Sequence, residues 1–141
     1  MTPDQISLVQ TSFAKVAPIS DKAAELFYGR LFEIAPQVRA LFPDDMTDQR
    51  KKLMATLAVV VKGLSNLDTI LPAASALAKR HVRYGAEPAH YPVVGAVLIA
   101  SMAEVAGPGW RPEYEDAWAE AYSIVAGAML AGAAAELGEA A

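Results

Sequence analysis

Residues 77–95, LAKRHVRYGAEPAHYPVVG, place a histidine on an apolar helix face and a tyrosine ten residues later. Leu71, Ala74, Leu77, Ala78 and His81 recur at three- and four-residue spacing, which predicts a helix over residues 69–84 with one apolar stripe. His81 ends that stripe. An imidazole on such a face has to satisfy two ring nitrogens, so a metal on one requires an acceptor on the other. Tyr91 or a backbone carbonyl can provide it. On these residues alone two readings stay open: a core histidine bonded to a carbonyl, or a metal ligand. Gly85 and Pro88 stop the helix.

The same periodicity extends in both directions. Thr2-Pro3-Asp4-Gln5 is a capping box with proline at the first helical position, and Ile6, Val9, Phe13 and Val16 make the helix behind it amphipathic up to Pro18. Ser20 and Asp21 are the expected caps of a second helix, whose apolar residues Ala24, Phe27, Tyr28, Leu31 and Ile34 keep helical spacing until Pro36. A short helical turn over 36–42 and a loop at Pro43-Asp44-Asp45 follow. Leu53, Leu57, Val60, Val61 and Leu64 then mark a helix from about 48 to 65, with Gln49 near its entrance. Beyond the His81 helix, another starts around Tyr91-Pro92 and reaches Gly107. Gly107-Pro108-Gly109 breaks it, and Pro112 opens a last helix ending near Gly138. No segment reads as a strand. The expected class is all-α, with six to eight helices packed as a bundle or as a globin-like assembly.

Composition narrows what such a chain can do. A length of 141 residues fits one domain, 1–141, and 54% hydrophobic residues with mean hydropathy +0.24 exceed what a small core requires, as for a chain wrapped around a large apolar ligand. The apolar runs at 91–103 and 121–135 are interrupted by Ser101 and Ser123 and read as buried helices too short for a membrane span. No leader pattern opens the chain, so the expected compartment is the cytoplasm. The absence of cysteine excludes disulfides, thiolate metal sites, iron–sulfur clusters and Cys-x-x-Cys-His attachment, which leaves His, Tyr or carboxylate as metal ligands. A net charge of -4 argues against nucleic acid. Seven of the twelve basic side chains nevertheless fall within residues 50–83, against one acid, Asp68. That belt is either a solvated helix face or a site for an anionic group or an acidic protein partner. Gly and Ala at 126–135 permit close helix approach, within a monomer or between the subunits of a homodimer.

Leu26-Phe27-Tyr28, Pro36-Gln37-Val38-Arg39-Ala40-Leu41-Phe42, Lys52-Leu53-Met54, His81 and His90-Tyr91-Pro92-Val93-Val94-Gly95 follow one another in an order and spacing that resemble the single-domain bacterial haemoglobins and the globin domain of flavohaemoglobins. The resemblance implies a globin fold around b-type haem, held between the helix of Gln49 and Leu53 and the helix of His81. His81 is then the proximal iron ligand, with Tyr91 orienting its ring. Phe42 packs against the porphyrin, while Leu53, Leu77, Val94 and Leu98 line the same pocket. Arg80 and Arg83, with Lys79, are candidates for propionate pairing or for plain solvation. Tyr28 and Gln49 correspond to distal hydrogen-bond donors, although the segment from Phe42 to Gln49 is shorter than the family's. His90, between two prolines, is expected at the surface or near a propionate.

One departure bears on activity. Fifteen residues after Trp118, where the family has a glutamate that completes a set with the histidine and Tyr91, this chain has Ala133; Glu136 lies one turn further on. Losing that carboxylate weakens electron donation to iron and favours binding over O–O activation. The resemblance therefore implies reversible O2 binding or delivery, with CO and NO as further ligands. The alternatives are nitric oxide dioxygenation served by a separate flavin reductase, since the 141 residues carry no flavin or nicotinamide domain, and haem-based gas sensing.

Overall fold

The structure, a computed structural model, describes residues 1–84 and 90–136, with the side chains at 80, 82–84 and 132–136 excepted. Among the described residues there are six α-helices and no strand. They are α1 (Pro3–Val16), α2 (Ser20–Ile34), α3 (Thr47–Lys62), α4 (Leu67–Tyr84), α5 (His90–Ala106) and α6 (Pro112–Glu136), with 3-10 turns at Ala17–Ile19, Pro36–Leu41 and Gly107–Gly109. The stop signals Gly85 and Pro88 and the end of the last helix lie outside the described residues.

The α1 capping box forms as its sequence predicts. The Thr2 hydroxyl accepts from the Gln5 amide at 3.1 Å, and the Gln5 side chain accepts from the Thr2 amide at 2.9 Å. Helix α2 starts differently from expectation. Ser20 and Asp21 are its first helical residues and no side chain caps it, because the chain enters directly from the 3-10 turn and the Ser20 amide already donates to the Ala17 carbonyl. Gly107 has φ +61°, the left-handed conformation that only glycine adopts without steric cost, and it ends α5.

The helices pack in an order that matters for the site. Helix α2 lies on α5 and α3, α1 lies on α6, and α4 docks on α6. Two separate apolar clusters result. The larger holds Val9, Val16, Ala24, Phe27, Tyr28, Leu31, Met54, Leu64, Leu98, Met102 and Trp118. The smaller holds Ala74 and Ala78 of α4, Tyr91 of α5, and Ala126 and Met129 of α6. The apolar stripe of α4 is rotated slightly from the predicted one: Ile70, Ala74 and Ala78 are buried, whereas Leu71 sits at the rim, 36% exposed. Pro72 lies inside this helix, where it withholds an amide from the carbonyl ladder.

Residues 90–109 are, by length and mean hydropathy (1.4), long and apolar enough to cross a membrane, contrary to the shorter run expected from the sequence. In the fold, α5 is instead the helix that both α2 and α6 cover, with Tyr91, Gly95, Val97, Leu98, Ser101 and Met102 buried. Deep in the larger cluster, the fully buried Ser12 hydroxyl accepts from the Trp118 indole N–H at 2.8 Å and lies within reach of the Leu8 and Val9 carbonyls, tying α1 to α6.

Candidate functional site

Three phenylalanine rings pack around the ring of Tyr28. Tyr28 is 6% exposed on α2, and its ring packs edge-on against Phe27 (4.9 Å) and Phe42 (5.5 Å) and at a tilt against Phe32 (5.9 Å). Gln49, in the first turn of α3, donates its amide N–H to the Tyr28 hydroxyl oxygen at 3.1 Å. The short segment from Phe42 to Gln49 therefore does bring the two polar side chains together. Because the phenol oxygen accepts in this bond, its own proton stays available for a third group. Burial raises the Tyr28 pKa above the usual phenol range, and the Gln49 bond offsets part of that. At neutral pH the phenol is a donor.

The histidine lies on α4, half-buried. Its Nδ1 is 2.9 Å from the Leu77 carbonyl, one turn earlier. A carbonyl can only accept, so Nδ1 carries the proton and the lone pair of the neutral ring lies on Nε2. Of the two acceptors the sequence left open, the backbone carbonyl is the one on Nδ1. Tyr91 is 8% exposed at the start of α5 and packs with Ala74 and Ala78 of the histidine helix, and its pKa is raised by burial. Its carbonyl accepts from the Tyr122 hydroxyl at 2.6 Å. Tyr122 is buried enough that its pKa is pushed up to about 12, by desolvation first and by the neighbouring Tyr91 second. Gly95 makes room for it: a Cβ there would stand 2.5 Å from the Tyr122 ring.

Phe42, Leu53, Leu57, Val93 and Val94 are partly buried against the larger cluster, Leu77 is partly buried against the smaller one, and Leu98 is buried. Arg80, Arg83, Ala133 and Glu136 have side chains outside the described residues. Sequence reasoning gave no role to Arg39 and Gly95, quoted only within motifs, and did not name Phe32 or Tyr122. Of these, only Tyr122 carried a signal, four residues after Trp118 on the same helix face.

Comparison with known proteins gives this arrangement a class. Residues 25–129 match the globin family model. The chain is 32% identical over 124 residues to a flavohemoprotein of Rhodopirellula baltica, covering 86% of this chain and 30% of that one. It is 31% identical over 109 residues to the flavohemoprotein of Bacillus subtilis, covering 74% and 27%. It thus spans less than a third of the length of these curated relatives. Among solved structures, it superposes with a TM-score of 0.85 at 27% identity on an engineered carbene transferase made from a candidate nitric oxide dioxygenase of Rhodothermus marinus, covering 95% and 94%. A bacterial globin from Campylobacter jejuni (TM-score 0.83, 23% identity, covering 94% and 96%) and the azide-bound myoglobin of Aplysia limacina (0.81, 21%, covering 93% and 97%) share the fold. The chain belongs to the globin family, whose members are haem proteins.

The residues present suit that group. An Nδ1-protonated imidazole offers Nε2 to iron, the partly covered apolar side chains of α3, α4 and α5 offer a hydrophobic lining, and a neutral phenol supplies a donor.

Proposed function

We propose that this globin binds haem b with His81 as the proximal ligand and holds O2 reversibly under the hydrogen bonds of Tyr28 and Gln49. Haem, when bound, supplies the iron on which a diatomic gas is held. The chain's own residues do the rest. The Leu77 carbonyl fixes the tautomer and orientation of His81, and the docking of Tyr91 against α4 steadies the helix that carries it. Phe42, Leu53, Leu77, Val94 and Leu98 line the pocket and exclude water. Arg80 and Arg83 are proposed to pair with the propionates. The observation that carries the reading is the Gln49-to-Tyr28 bond, because it orients the phenol while leaving its proton free to be donated.

A donated bond favours a ligand whose outer atom carries negative charge, so O2 gains and neutral CO gains little. A bond to a charged acceptor is worth roughly 1.5 to 3 kcal/mol, or about one to two decades in a dissociation rate. Tyr28→Phe is expected to speed O2 release by that factor and to change CO release much less, as stopped-flow displacement would show. Equal changes for both gases would point to a steric role and overturn the assignment.

The similarity to flavohemoproteins and to a candidate nitric oxide dioxygenase favours a second reading, nitric oxide dioxygenation, for which a separate flavin reductase would supply the electrons. Ala133, in the place of the family's glutamate, supports ranking binding above that turnover. A gas-sensing role and a cytoplasmic location are compatible proposals.

A further inference from the structure

Arg39 has no part in the roles above. It sits half-buried on the 3-10 turn Pro36–Leu41, and its guanidinium gathers three successive carbonyls. Nη1 donates to those of Phe42 (3.3 Å) and Pro43 (3.0 Å), and Nη2 to that of Asp44 (3.3 Å). The guanidinium carbon also lies 5.1 Å from the centre of the Phe32 ring. Successive carbonyls in extended backbone alternate in direction, so three that converge on one cation define a tight curl, and the cation offsets the repulsion of their aligned dipoles. That curl is the connection between Phe42 and α3. Further along it, Met46 is buried, the Asp45 carboxylate accepts from the Thr47 amide at 3.0 Å, and Gln49 follows in the first helical turn. Phe42 itself packs on both Tyr28 and Phe32, each 5.5 Å away.

We propose that Arg39 is the positioning residue of the Tyr28–Gln49 pair: by curling residues 42–44 around its guanidinium, it sets the path along which the connection from Phe42 to α3 delivers Gln49 to the Tyr28 hydroxyl. The proposal rests on the distal role given to those two residues above. Lysine cannot replace it, because an ammonium lacks both the planar fork that spans three carbonyls and the flat face that stacks on Phe32.

The test uses haem-loaded wild type, Arg39→Gln, Arg39→Lys, Tyr28→Phe and the double variant Arg39→Gln/Tyr28→Phe. The readouts are the infrared C–O stretch of the ferrous CO complex, which reports the hydrogen-bond field at the ligand, and the O2 dissociation rate. Arg39→Gln is expected to broaden or split a single C–O band and to speed O2 release about tenfold, with Arg39→Lys failing to restore either and the double variant no faster than Tyr28→Phe alone. If Tyr28→Phe shifts band and rate while Arg39→Gln leaves both unchanged, or if the two substitutions add, Arg39 does not position the pair although the distal reading stands. If Tyr28→Phe itself has no effect, the distal reading falls and this proposal with it. Should Arg39→Gln fail to fold, Arg39→Lys carries the same comparison.

Discussion

His81 and His90 are the chain's two histidines and stand in different settings. His81 is on the face of α4 that continues Ala74 and Ala78, with its tautomer set by the Leu77 carbonyl, whereas His90 is the first residue of α5. His81→Ala is expected to lose haem on purification, or to need added imidazole for a normal absorption spectrum. His90→Ala is expected to retain both haem and spectrum. The reverse pattern would transfer the ligand role. At this scale the resemblance named Tyr28, Gln49 and Phe42, and the structure brings these three side chains together, while His81 stands on the helix its spacing predicted. What Arg39 and Gly95 do was not legible, although both stand in the motifs. Their effect depends on which carbonyls or ring lie opposite, and that is decided by a turn geometry and a helix crossing that no local pattern records.

Helix pairing brings its own expectations. The Trp118 indole N–H has the Ser12 hydroxyl as its partner inside the α1–α6 contact, where water does not reach. Ser12→Ala leaves that donor buried and unpaired, at a cost of about 1 to 3 kcal/mol, to be read from urea denaturation. Ser12→Ala combined with Trp118→Phe should recover part of the loss, because no orphan donor remains. The contact of α5 with α6 depends on pH through Tyr122. Its phenol is raised to about 12 in the fold, against about 10 in the unfolded chain, so the folded state holds the proton more tightly. Stability is fully present below pH 10 and falls as pH rises from there towards 12. Tyr122→Phe should flatten that part of the thermal-unfolding profile while lowering its plateau. Helix boundaries were legible to within a few residues because prolines and glycines punctuate them. On α4, Ala74 and Ala78 are buried as predicted but Ile70 is buried in place of Leu71; the two are equally apolar, and the choice is made by packing against the larger cluster, beside Gly63, that the stripe does not record.

For the whole molecule, the all-helical described residues include no parallel sheet on which a dinucleotide could bind. On the proposed reading, the 141 residues expressed by themselves are expected to bind O2 and to react with one equivalent of NO, but to consume no NADH beyond background. Adding a flavin reductase should restart the cycle. If the basic residues Arg50, Lys51, Lys52, Lys62 and Lys79 guide an acidic reductase, the rate of iron reduction should fall as salt rises through the range where the Debye length drops below about 10 Å. Sustained NADH consumption by the isolated chain, measured at 340 nm, would contradict the need for a partner.

The division of the interior into two apolar clusters has a thermodynamic consequence for the cofactor. The smaller cluster, built on α4, α6 and the first turn of α5, holds far fewer large side chains than the other, so the docking of α4 rests on its long seam with α6. On the proposed reading, a haem held by His81 would bind the form in which α4 is docked. Its measured affinity therefore includes the free energy of docking that helix. Ala74, Ala78, Ala126 and Met129 need not touch the porphyrin to govern how long it stays: each methyl or thioether that strengthens the seam between α4 and α6 slows the exchange of haem with competing apoproteins, and each cavity opened there hastens it.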